Sequence, residues 1–211
     1  MRRLAIVLCL ALAASAEIVD RLAITVDREA ITELQLDEEL RVTAFLNRKP
    51  IIRDLNTRRA AAGRLLQQLI VTREMEVSRY PPPDQQDLNK YFDQIREEFR
   101  DSAEFAQALA SYSLTENALR DHLALQLTTL RFIEFRFQPQ IDVSGAEIQA
   151  AFKREIATWN AAHSGAPSTL PPSRESIRKA LVEERIDRAL DTWLQERRRR
   201  AHIVYVDASL E

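Results

Sequence analysis

His122, His163 and His202 are the only imidazoles in a chain of 211 residues, and Cys9 is its only thiol. A nucleophilic hydrolase needs a base beside its nucleophile, and no G-x-S-x-G segment is present. His122 follows Asp121, a pairing that could serve as a base or a metal ligand. No H-E-x-x-H accompanies it, nor a second ligand one helical turn away, so the sequence predicts an exposed helical histidine. His163 falls in a turn-rich stretch and His202 at a strand edge, neither with a partner in sequence. The acidic pairs Glu97-Glu98 and Glu183-Glu184 flank apolar stripes, as solvated helix faces do. With three glycines (Gly63, Gly145 and Gly165) and no G-x-x-x-x-G-K, no phosphate cradle is expected, and so no ATP. The run Arg197–Arg200 reads as a helix C-terminus, where cations complement the macrodipole. Trp159 and Trp193 lie on apolar helix faces and are expected in the core. The sequence therefore offers no catalytic residue, no metal ligand and no cofactor site.

These residues sit in a chain of ordinary globular composition, 45% hydrophobic and 29% charged. Its first residues have the form of a secretory leader: Arg2 and Arg3, the apolar run Leu4–Ala13, then Ala14-Ser15-Ala16 as an A-x-A cleavage site. The apolar run is about half the length that spans a bilayer, and Ile6-Val7-Leu8 before Cys9 does not match a lipoprotein box. The expectation is a leader over 1–16 and no stable membrane anchor. Cleavage would remove Cys9, the only thiol, leaving no disulfide chemistry. It would also take away Arg2 and Arg3 and move the formal charge from −2 to −4, against a nucleic-acid partner.

Leu22, Ile24 and Val26 alternate with polar or small residues, a strand signal. A turn at Asp27-Arg28-Glu29 leads to Ala30-Ile31, and Thr32 stands where a helix N-cap would. Further helices are expected over Thr57–Arg79, from the N-cap Asp84 to about Arg100, over Ser102–Leu109, from Thr115 to about Phe137, and from Ser144 through Trp159. Ser144-Gly-Ala-Glu147 reads as a capping box. Tyr80-Pro-Pro-Pro83 and Gln138-Pro139 are stops. Residues 161–173 read as a linker, after which a last helix opens at Ser173. His202–Val206 reads as a closing strand.

An isolated strand leaves its backbone donors and acceptors unsatisfied. Two strand segments at opposite ends of a helical chain are best satisfied by each other. The expected fold is mainly α, with a small antiparallel β element joining the N-terminal hairpin to the C-terminal strand. Residues 17–160 and 174–207 would then form one discontinuous module.

Taken in order, these segments resemble the SurA family of periplasmic chaperones. Val19–Val26 with Ile31-Thr-Glu33 is similar to that family's opening strands and first helix start. Arg64–Met75 resembles its second helix, and Leu114–Leu123 and Ile141–Ile148 its later ones. Ala189–Arg198 with Ile203–Val206 resembles its closing helix and strand. The family places parvulin-type isomerase domains before the last helix. Here 161–173 alone occupies that place, so the isomerase activity is not implied.

The resemblance implies a periplasmic, ATP-independent holdase for unfolded or extended exported polypeptides, with outer-membrane protein precursors as clients. The sequence does not name the residues that line a peptide-binding groove, nor the oligomeric state. Two rivals stand beside this expectation: an exported scaffold or assembly subunit for one specific partner, and a residual peptidyl-prolyl isomerase.

Overall fold

Local capping chemistry sets where the helices begin. The computed structural model describes residues 20–162 and 171–211; the expected leader, His163 and most of the expected linker lie outside them. Strand β1 (Leu22–Val26) turns at Asp27 into β2 (Glu29–Thr32). Asp27 takes φ 53, a left-handed conformation that aspartate tolerates better than most residues. Thr32 caps α1 (Glu33–Leu46) in a reciprocal box with Gln35. Asp54 caps α2 (Leu55–Ser78), which ends at Arg79 in the left-handed region before the three prolines. Asp84 caps α3 (Gln85–Glu97), Asp101 caps α4 (Ser102–Ser111) and Thr115 caps α5 (Glu116–Phe137). Such side-chain caps are each worth about 1 kcal/mol. Ser144 and Glu147 satisfy each other's backbone N–H at the start of α6 (Gly145–Ala162). Ser173 opens α7 (Arg174–Arg200), which leads to β3 (Ile203–Tyr205).

Several boundaries differ from the sequence expectation. α2 starts two residues early because Asp54 supplies a cap that the apolar stripe did not mark. α3 stops at Glu97 rather than near Arg100, since Asp101 must be extended to cap α4. α6 runs to Ala162, so residues 161 and 162 of the expected linker are helical.

The three strands form one antiparallel sheet in the order β2-β1-β3. Ile24 faces Tyr205, and Val26 faces Ile203. The N-terminal hairpin and the C-terminal strand therefore meet. Ion pairs clamp the junction. Arg73 on α2 holds Asp27 at 2.5 Å and Glu29 at 2.9 Å, while Asp27 also accepts the His202 backbone N–H at 2.8 Å. Arg58 bridges Glu33 and Asp207, each at 3.1 Å.

Two hydrophobic cores fill the body. The first lies beneath the sheet and takes Ile24, Val26, Leu36, Leu66, Phe132 and Leu194, with Leu210 from the last residues of the chain. The second gathers Phe45, Phe92, Phe105, Leu119 and Leu123 from α1, α3, α4 and α5. Its rings stack edge to face: Phe92 with Phe105 at 5.7 Å and Phe45 with Phe105 at 6.2 Å between centroids. Such pairs add about 0.5–1.5 kcal/mol each beyond area burial.

α6 packs chiefly on the N-terminal half of α7 and buries little besides Ala151. Arg185 of α7 ties this pair together through the Asp142 carbonyl and the Glu147 carboxylate. No helix among the described residues is long and apolar enough to cross a membrane.

Candidate functional site

α1 contributes residues to both cores: Leu36 and Leu40 point into the first, Val42 and Phe45 into the second. Between them a groove of about 410 Å³ opens, walled by α1, α2, α5 and α7. Its apolar surface comes from Leu46, Val71, Leu130, Ile133, Leu190 and Leu194. Leu130 is 52% exposed there although it belongs to the leucine series of α5. Its predecessors Leu119 and Leu123 are fully buried, because α5 leaves the second core before it reaches Leu130.

Glu39 sits at the head of this groove. Among the described residues it is the one buried charged side chain, 7% exposed. One carboxylate oxygen accepts the Arg64 Nε–H at 2.6 Å and the Thr43 hydroxyl at 3.1 Å. The Arg64 Nη2 also donates to Thr43 at 3.2 Å. The buried anion is thus paired and hydrogen-bonded, as burial of charge demands.

His122 completes the group and corrects the sequence expectation. It is not an exposed helical histidine: its side chain is 22% exposed and its Nδ1 lies 3.9 Å from the second Glu39 oxygen. Burial pushes its pKa below the usual histidine value, and Arg64 adds to that; Glu39 and Glu38 oppose it. The imidazole is therefore held toward its neutral form.

Side-chain amides line the rest of the walls: Gln67 and Gln68 from α2 and Gln126 from α5. The Tyr91 hydroxyl donates to the Gln126 carbonyl at 3.3 Å, and the Gln126 NH₂ makes no hydrogen bond within the described residues. The Thr129 hydroxyl, in the same wall, has no hydrogen-bond partner.

The other sequence candidates lie elsewhere. Glu97, Glu98, Glu183 and Glu184 are exposed, and Glu98 takes an ion pair from Arg48. Of the arginine run, Arg197 pairs with Glu74 at 2.7 Å and Arg200 with Glu196 at 3.9 Å. Trp193 is half-buried against the first core, flanked by the Arg136 and Arg197 guanidiniums at 5.6 and 5.4 Å from its ring. Trp159 is half-buried on α6. The exposed His202 uses its backbone N–H rather than its ring to hold Asp27. Among the described residues, no group of three or more His, Cys, Asp or Glu side chains is placed to hold a metal ion.

Sequence reasoning missed Glu39, Arg64 and Gln126. One signal was available: Glu39 lies three residues after Leu36 and three before Val42, on the apolar side of α1. No protein-family model matches the chain, and no curated protein is similar to it at a significant level.

Proposed function

We propose that the protein is a non-catalytic, ATP-independent holdase that keeps unfolded exported polypeptides soluble in the periplasm. Outer-membrane protein precursors are the clients implied by the SurA-like order of its segments. The observation that carries the proposal is the open groove between the two cores, where Leu130 is exposed and Leu46, Ile133 and Leu190 are only partly covered in a folded chain. An uncovered apolar surface of this kind is what a client's side chains bury against. Each client side chain so buried contributes roughly 1.5–3 kcal/mol, and ordering the client opposes it. Binding is therefore modest and reversible, as release of cargo requires.

The chemistry of the groove suits holding better than turnover. Its one buried carboxylate is already engaged by Arg64 and Thr43, which leaves no free acid–base pair beside a reactive group.

The test is light scattering from an unfolded outer-membrane barrel diluted out of urea. Suppression by several-fold excess of the protein, weakened by Ile133→Glu or Leu130→Glu, is expected. Absence of suppression removes the holdase reading. Suppression confined to one client out of several unrelated ones favours a scaffold dedicated to a single partner.

A further inference from the structure

The groove carries no net charge, although charged groups line it. Glu39 and Arg64 compensate each other at 2.6 Å, and burial holds His122 toward neutrality. An acidic partner would find no unpaired cation there, and a basic partner no unpaired carboxylate. Placing an uncompensated charge in such a site would cost its desolvation with nothing in return. The wall chemistry thus complements an uncharged partner.

The same walls are rich in unused hydrogen-bonding capacity. The side-chain amides of Gln67 and Gln68 on α2 have no partner within the described residues, and the Gln126 amide on α5 has only the phenol of Tyr91 on its carbonyl side. A primary amide both donates and accepts, as a peptide unit does. Amides on facing walls are therefore suited to the donors and acceptors along an extended main chain, which in that conformation point alternately to either side. A purely apolar small molecule would fill the volume but would strip these amides of water and give them no partner.

We infer that the groove recognises the main chain of an uncharged, extended polypeptide segment, with Gln67, Gln68 and Gln126 bonding its peptide groups while its aliphatic side chains meet Leu130, Ile133 and Leu190. This rests on the holdase reading and deepens it: clients are selected by the absence of charge over a short stretch and by an available backbone, not by a particular side-chain sequence.

The probe is a dansyl-labelled, end-blocked peptide of alternating valine and threonine, followed by fluorescence anisotropy with the full chain. Four versions are compared: the parent, one N-methylated at alternate peptide bonds, one with its central threonines replaced by aspartate and one with them replaced by lysine. N-methylation and charge of either sign are each expected to weaken binding about tenfold, a loss of about 1.4 kcal/mol. In Gln67→Leu/Gln126→Leu the parent and methylated peptides should bind alike. Should that variant fail to fold, the wild-type comparison of parent and methylated peptides decides alone. Equal binding of parent and N-methylated peptides, undiminished binding of a charged peptide, or no binding at all overturns the inference. Barrel scattering is measured in parallel. Suppression without N-methyl sensitivity keeps the holdase and removes main-chain recognition; N-methyl-sensitive binding without suppression does the reverse.

Discussion

The core beneath the sheet and the core around Phe92 differ in chemistry and in where their residues come from. The first is mostly aliphatic and is closed by residues from both ends of the chain, from Ala23 to Leu210. The second is aromatic and is built from Val42 to Leu123 alone. One depends on segments that meet through β1 and β3; the other needs only α1, α3, α4 and α5. The groove runs along the seam, where aliphatic packing gives way to aromatic packing and Glu39 bridges the gap. A surface that must stay open is easier to keep at the boundary of two self-sufficient cores than across the middle of one, because neither core gains by collapsing over it.

The sharpest way to break the comparison is to delete residues 201–211. This removes β3, the Asp27–His202 bond, the Arg58–Asp207 pair and buried Leu210. Adding the lost burial to the lost strand hydrogen bonds gives about 5 kcal/mol or more. Amide exchange should show Ile24, Leu66 and Ile70 losing protection while Phe92, Leu119 and Leu123 retain it. Uniform loss across both cores would mean they are one cooperative unit. Phe92→Ala addresses the other side and should cost about 3–5 kcal/mol in urea unfolding. Its effect should concentrate on α3, α4 and the first half of α5, whereas Phe132→Ala, of similar size, should act on α2 and the sheet.

At the seam, Glu39→Ala should cost about 1–2 kcal/mol, since it removes two hydrogen bonds to a charged group while Arg64, 44% exposed, can turn to water. Exchange should quicken on both sides of the groove. A smaller effect comes from His122. Its folded pKa is lowered, so the unfolded chain binds the proton more readily. Stability is complete above about pH 6.5 and declines as the pH falls below that value toward the lowered one. His122→Gln should flatten the slope of urea midpoint against pH over that window. The α6–α7 pair responds at more acid pH. Glu147 is lowered to about 2, first by the Ser144 hydroxyl and backbone N–H and then by Arg185. Its contribution is present above about pH 4.5 and is lost as the pH falls toward 2. Glu147→Gln should remove that acid-side loss of α6 helicity in far-UV circular dichroism.

What the sequence made legible is local or is forced by backbone arithmetic. Thr32, Asp84, Thr115 and the Ser144–Glu147 box announce their helices because the capping bond lies within three residues of the cap. The pairing of β1 with β3 followed from the need to satisfy two isolated strands. The groove was not legible, because it depends on how four helices pack. Asp121-His122 carries no hint that Glu39, eighty-odd residues earlier, lies across from it. Leu34 illustrates the same limit: it belongs to the apolar series of α1 yet is 54% exposed, whereas Leu36 is fully buried.

Asp27 and His202 are hydrogen-bonded across 175 residues. A ribosome delivers the chain from N- to C-terminus, so β1 emerges long before its partner β3. Throughout that interval Ile24 and Val26 have no β3 to pair with, and the sheet cannot close. The aromatic half can mature while later residues are still being made; the sheet completes itself only once β3 has emerged.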